Sequence, residues 1–387
     1  MMKDFVTYAE SLESRLYADL EHVVNINSHT GNIPGCQKVL DWFEAHFRDQ
    51  GLTEGGQIFS HGERNHLILS NGVESGPHIL IVGHVDTVFP VDHPFQVFER
   101  RGECFHGPGV SDMKGGLLVA AGALGALKEL GWLHKARITA FLNSDEETQS
   151  KTSKDLLMEL CETGPDIALV FEGGRANGNL VKSRKGVGRY FITVKGKASH
   201  AGMNHEKGIN AIEDLASKVV AIQQLTDYDR GVTLNVGKME GGVGRNTVAP
   251  SATAEFDLRI LDPADEMPID EEVKRIATTP SVPGTESTVE GGVGRPPWPE
   301  NPGSEGLASH FTGAATELGQ VVGAQPTGGG SDGNFTHKAG IPTLDALGPV
   351  GGNPHTPEEY IVAKTLVDRV ALTSFGIAKW IDAWGGK

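Results

Sequence analysis

Three short runs of almost unbroken apolar residues stand in the first half of the chain: "HILIVG" at 78–83, "ARITAFLN" at 136–143 and "IALVF" at 167–171. A strand that is apolar at nearly every position has to be covered on both faces, and a sheet enclosed by helices is what does that. The helical patterns "GGLLVAAGALGALKEL" (115–130) and "SKDLLMELC" (153–161) lie between the runs. Together they predict an α/β domain around a mostly parallel sheet with helices on both faces. Each run is followed by residues with chemistry. His84 follows the first, Asp145, Glu146 and Glu147 follow the second, and Glu172 follows the third. In open α/β sheets, ligands sit beyond the carboxyl ends of the strands.

The middle of the chain is patterned differently. "GRYFITVKG" (188–196), "VTLNVGKMEGG" (232–242) and "SATAEFDLRI" (251–260) alternate in the manner of strands with one covered face. "GINAIEDLASKVVAIQQL" (208–225) and "EEVKRIA" (271–277) have helical spacing. This order predicts a small two-layer α+β domain. The Pro/Gly-rich stretch "GGVGRPPWPENPGS" (291–304) reads as the linker out of it. The α/β pattern resumes in "GLASHFTGAATELG" (306–319) and closes with a helix from about residue 362. The expected organisation is one α/β domain made of residues 1–184 and 297–387, interrupted by a domain at 185–296. A length of 387 residues suggests two domains independently.

Charge narrows the function. Fifty acids against 34 bases give a net charge of −16, which argues against nucleic acid as a partner. No apolar run approaches the ~18 residues of a membrane span. The acid-rich N-terminal helix pattern does not resemble a signal peptide. Three widely spaced cysteines, Cys36, Cys104 and Cys161, suit a reducing compartment and offer no disulfide framework. A cytoplasmic protein is expected.

The strand-end residues form a constellation. His84 and Asp86 make a His-x-Asp pair in which the acid can orient the ring of a ligating histidine. "GPGVSDMKGG" (107–116) places Asp112 in a glycine frame before a helix, a position that N-cap residues also occupy. "GNPHTPEEY" (352–360) supplies His355 from a Gly/Pro loop. Two histidines and three carboxylates at one sheet edge suit Zn²⁺, with Mn²⁺ or Co²⁺ also compatible. Two ions about 3.5 Å apart would need one shared carboxylate and two further ligands each, which five donors supply. Glu146 is then left over beside Glu147, where a general base is needed. "GGSDG" (329–333) also fits the G-x-S-x-G pattern around Ser331, with His337 or His355 as base, but the residues before it do not read as the strand that motif requires. A binding protein without activity would be marked by loss of a ligand or of Glu146, and none is lost.

The stretches "GHVDTVFP", "GPGVSDMKGG", "NSDEETQS", "GKASHAG", "NTVAPSATAEFDLR" and "GGGSDGN" occur in that order over nearly the whole chain. They resemble the di-zinc family of aminoacylases, acetylornithine deacetylase, succinyl-diaminopimelate desuccinylase and glutamate carboxypeptidase, most of all the glutamate carboxypeptidase branch. The resemblance implies one zinc on His84, Asp112 and Glu172, and another on Glu147, His355 and the shared Asp112. It implies Glu146 as general base, Asp86 as partner of His84, and a cis peptide between Asp112 and Met113. In the inserted lid domain it implies His200 as the group polarising the scissile carbonyl, from the partner subunit of a homodimer. Asn246 and Arg259 would bind the substrate carboxylate, with Gly329 and Gly330 close by. The implied reaction is metal-dependent hydrolysis of an amide in a small peptide or N-acyl amino acid. A deacylase such as acetylornithine deacetylase is the alternative. One departure is "GGRANG" after Glu172, where many relatives have proline, and Arg175 could help form the substrate wall there.

Overall fold

The computed structural model describes residues 1–384, which fall into two compact units. The chain leaves the first unit after Ser183 and returns at Glu300; the second unit holds Arg184–Pro299 with the short return Thr327–Gly330.

The first unit is built on a six-stranded sheet. Its order is Glu54–Ser60, Arg64–Ser70, Arg137–Asn143, His78–His84, Ile167–Val170, Thr343–Leu344. The last four strands are mutually parallel, and the first two add an antiparallel edge. The apolar runs explain themselves in this setting. Every residue of His78–His84 is buried. Ile79 and Ile81 join a core with Phe43, Leu117 and Phe375, whereas Leu80 and Val82 join another with Leu157, Cys161 and Phe335. Successive side chains of a strand point to opposite faces, so two separate cores on alternate residues mean helices on both sides. The helix Lys114–Glu129 runs through the larger core with nearly every residue buried. Gly116 lets it approach the sheet: a Cβ there would overlap the Phe171 carbonyl oxygen.

A second, smaller sheet in this unit matters for the site. Its order is Gly351–Gly352, Tyr360–Val362, Cys104–His106, Glu99–Arg101. Residues 353–359 are thereby the loop of a hairpin anchored on Cys104–His106.

The second unit is an antiparallel sheet in the order Thr233–Gly241, Ser251–Ile260, Gly186–Lys195, Glu286–Arg295. Tyr190, Ile192, Val194, Ala252, Ala254 and Phe256 pack on Leu215 and Ile222 of helix Ala211–Gln223 and Val273 of helix Glu266–Thr278. The alternation read from the sequence is therefore one covered face. One expectation fails here. Residues 291–295, read as the start of a linker, complete the strand Glu286–Arg295 and pair with Gly186–Lys195. The glycines serve close approach rather than flexibility: Gly291 has φ 95°, and a Cβ on it would overlap the Arg189 carbonyl oxygen. No helix among the described residues is long and apolar enough to cross a membrane.

Candidate active site

His84 is the last residue of its strand and is 1% exposed. Its Nδ1 lies 3.0 Å from the Asp86 carbonyl oxygen. A carbonyl can only accept, so Nδ1 carries a proton there and Nε2 is the atom turned to the site. Nε2 is 3.1 Å from Asp112 Oδ1 and 3.7 Å from Glu172 Oε1. The other oxygen of Asp112, Oδ2, lies 3.2 Å from His355 Nε2, which in turn is 3.1 Å from Glu147 Oε2. The two oxygens of one carboxylate thus face two different histidines, each with its own second acid. Asp112 does not cap the following helix, whose N-cap position is Met113 without a side-chain cap bond. The Asp112–Met113 peptide is cis.

The acid triplet divides its work. Asp145 turns back: its carboxylate accepts from the Thr152 N–H (2.6 Å), the Thr152 hydroxyl (2.8 Å) and the Ser153 hydroxyl (2.6 Å). Glu146 is buried at the start of a 3-10 turn, and Glu147 reaches His355. Asp86, fully buried, fixes both glutamates. Its Oδ1 accepts from the Glu146 N–H (3.1 Å), its Oδ2 from the Glu147 N–H (3.2 Å) and from the Thr30 hydroxyl (2.6 Å). Asp86 therefore orders the ring of His84 and the turn bearing the glutamates at once.

The electrostatics show what the cluster calls for. Burial and the charge on Asp112 push Glu172 up to about 7 and raise Glu147. Hydrogen bonds to Asp112 and Glu147 push His355 up to about 11. Burial disfavours charge on His84, but Asp112, Asp86 and Glu172 together raise it well above the usual imidazole range. Buried acids at this spacing require positive charge among them, and protons on the two rings are what the protein alone can offer. A divalent cation would supply it better. One ligand atom each from His84, Asp112 and Glu147 lies within 4.8 Å of the others, close enough to hold a metal ion. Nitrogen and oxygen donors in this ratio suit zinc-like ions. Beside Asp112 and Glu172 a cavity of about 240 Å³ opens, lined by Ser111, Gly174, Arg175 and Asn353 among others.

His200, Asn246, Arg259, Gly329 and Gly330 all belong to the second unit. His200 and Asn246 are exposed on adjoining loops, tied by the Ala201 N–H to the Asn246 carbonyl (2.9 Å). Arg259 grips its neighbour Asp257 through two bonds of 2.7 and 3.0 Å and reaches the Gly328 carbonyl at 3.3 Å. Ser331 is fully buried with its hydroxyl donating to Asp345 (2.6 Å), so it is not a nucleophile. The residues before it do include a short strand, Ala324–Thr327, contrary to the sequence reading; burial of the serine, not the missing strand, rules the motif out.

Three further buried residues lie within the stretches quoted above but drew no expectation of their own. Glu359 accepts three backbone N–H bonds from the Asp112 loop. Lys114, fully buried, donates to the Val23 and Ile26 carbonyls at 3.0 and 2.9 Å. Asp332 accepts from Asn143 and Ser150, both at 2.5 Å.

A solved structure shares this fold: the M20 family metallo-carboxypeptidase Sso-CP2 from Sulfolobus solfataricus superposes with a TM-score of 0.77 at 17% identity, over 95% of this chain and 99% of that one. With this fold, a histidine and carboxylate cluster at its strand ends and a match to a peptidase family, the chain is a metal-dependent peptidase or amidohydrolase. The sequence model for Peptidase family M20/M25/M40 matches residues 80–374, and the chain belongs to that family. Among curated relatives, carboxypeptidase G2 of Pseudomonas sp. (strain RS-16) is 27% identical over 92% of this chain and 86% of its own length. Succinyl-diaminopimelate desuccinylase of Gluconacetobacter diazotrophicus is 28% identical over 77% of this chain and 79% of its own.

Proposed function

We propose that this enzyme hydrolyses the amide bond of a small peptide or N-acyl amino acid bearing a free carboxylate, with two divalent ions, zinc by donor type, in each subunit. The observation that carries the reading is Asp112, whose two oxygens each face a histidine backed by a further acid. His84, Asp112 and Glu172 would hold one ion; Glu147, His355 and the shared Asp112 the other. Bound there, the ions would polarise the scissile carbonyl and make a water acidic enough to lose a proton at neutral pH. Glu146 takes that proton and returns it to the departing amine. Asp86 keeps Glu146 in place through the backbone bond described above. His200 polarises the scissile carbonyl, and Asn246 and Arg259 receive the substrate carboxylate, Arg259 with the fork that now holds Asp257. Gly329 and Gly330 leave room beside it. Similarity to carboxypeptidase G2 favours an exopeptidase; similarity to the desuccinylase keeps a deacylase as the second reading.

The second unit also supports a homodimer. Along its paired strands Arg259 stands opposite Val187, whereas Ser251, next to the Asn246 and His200 loops, stands opposite Lys195. Eight residues of strand separate the two ends by about 27 Å at 3.3–3.4 Å each, too far for one small substrate. If all three act on one molecule, Arg259 and the pair His200 and Asn246 come from different copies, with His200 from the partner as the family resemblance implies.

Hydrolysis of N-acyl amino acids and dipeptides by the metal-loaded protein, assayed with and without chelator, tests the reaction; activity indifferent to chelation overturns it. Mixing Glu146→Ala with His200→Ala protein tests the dimer. Random reassociation makes half the dimers mixed, each with one intact site, so activity should return to roughly a quarter of wild type. No recovery would rule out sharing.

A further inference from the structure

The loop that presents the shared ligand is itself held by a residue without an assigned role. The carboxylate of Glu359 is 1% exposed. One oxygen accepts the N–H of Ser111 at 2.9 Å and of Asp112 at 3.1 Å, and the other the N–H of Gly109 at 3.3 Å. Three amides converging on one carboxylate fix the path of the backbone, because each is directional and a buried amide left without an acceptor is costly. The residue four positions earlier, His355, contacts the side chain of the same Asp112. The hairpin Gly351–Val362 thus holds Asp112 twice, by its carboxylate through His355 and by its backbone through Glu359. Hairpin pairing of Tyr360 with His106 and Gly352 gives both contacts a common base.

We propose that Glu359 is a positioning residue for the two-ion centre: by gathering the Gly109, Ser111 and Asp112 amides it presets Asp112 to offer one oxygen to each ion. The inference rests on the two-ion reading of the site, and goes beyond it in assigning the geometry of the shared ligand to a residue that is not itself a ligand. The chemistry is asymmetric. An amide in place of the carboxylate would keep one acceptor for Ser111 and Asp112 but set an N–H₂ group against the Gly109 N–H. Glu359→Gln should therefore loosen the loop without opening a cavity, and Glu359→Ala should release all three amides. Removing the outer partner of a metal ligand commonly weakens metal binding by about 10–100-fold.

The test is Co²⁺ titration of metal-stripped wild type, Glu359→Gln and Glu358→Gln, followed by calorimetry and by the visible Co²⁺ spectrum, with hydrogen exchange of the stripped wild type alongside. We expect two ions in wild type and in Glu358→Gln, whose side chain lies outside the loop contacts. For Glu359→Gln we expect affinity lower by about 10–100-fold and an altered spectrum, with unfolding of the stripped protein little changed. The Gly109, Ser111 and Asp112 amides should be protected in stripped wild type, since Glu359 and not the ions holds them. Wild-type affinity and spectrum in Glu359→Gln would overturn the inference, and so would rapid exchange of those amides, a result that needs no variant to fold. Failure of wild type itself to bind two ions would instead sink the two-ion reading.

Discussion

At the scale of single residues, neighbouring acids do unlike things because their backbone positions differ. Asp145, Glu146 and Glu147 are adjacent, yet the first turns back to Thr152 and Ser153, the second is buried in the 3-10 turn as the proposed general base and the third faces His355. Two predictions follow from that division. Glu146→Gln should lower kcat by about 10²–10⁴ while leaving bound metal unchanged, as measured by steady-state kinetics and metal analysis of the same sample. Asp86→Asn should do the reverse in part: its neutral amide puts an N–H₂ where a carboxylate oxygen accepts from Glu146, Glu147 or Thr30, so metal affinity should fall by about 10–100-fold in a competition titration. The five clustered ligand candidates were legible because each follows a strand or a glycine frame, where side chains reach the sheet edge. Glu359 was not. It sits two residues past a proline in "HTPEEY", beside an equally plausible Glu358, and only the folded hairpin distinguishes the buried acid from the exposed one.

At the scale of elements, the alternation of the second unit was readable and its fastening was not. Helix Ala211–Gln223 is tied down by Asp214 and Lys218, whose side chains are both fully buried and 2.8 Å apart. Asp214 also accepts from the Ser281 and Val282 amides at 2.5 and 2.9 Å, and Lys218 donates to the Thr279 carbonyl at 2.5 Å. On a helical wheel both residues look like one of many i,i+4 surface pairs, so periodicity could not reveal that they are enclosed. Breaking such a pair from one side leaves a buried charge. Asp214→Ala should destabilise the second unit by about 3–5 kcal/mol, measured by denaturant unfolding. Burial opposes ionisation of Asp214, but Lys218 and the two amides prevail and hold its pKa below the ordinary 3.8. A folded value below the unfolded one means the unfolded chain binds the proton more readily in acid. This contribution is fully present above 3.8 and is lost as the pH falls through the depressed folded value. Wild type should lose stability over that range and Asp214→Asn should show a flatter acid profile. The strand Glu286–Arg295 was missed for a related reason: glycines that permit close backbone approach look the same in sequence as glycines that loosen a linker.

At the scale of the whole molecule, the two units have separate apolar cores, and every proposed metal ligand belongs to the first. Anything that binds only the native state stabilises it, by about 2.7 kcal/mol at a hundred times its dissociation constant. Calorimetric melting should therefore resolve two transitions, with chelator lowering only the one assigned to the first unit; a shift of both together would mean that the units unfold as one. The division was visible in the change from continuous apolar runs to alternating strands. The gathering of ligands was visible only as a list of strand ends, since nothing in a linear pattern says which ends meet. That gathering also sets a timetable. The donors extend from His84 to His355 in a chain of 387 residues, and a ribosome delivers them in that order. Until the hairpin bearing His355 has emerged, a nascent polypeptide owns an incomplete set of the proposed ligands, so a complete two-ion centre would have to wait for that hairpin.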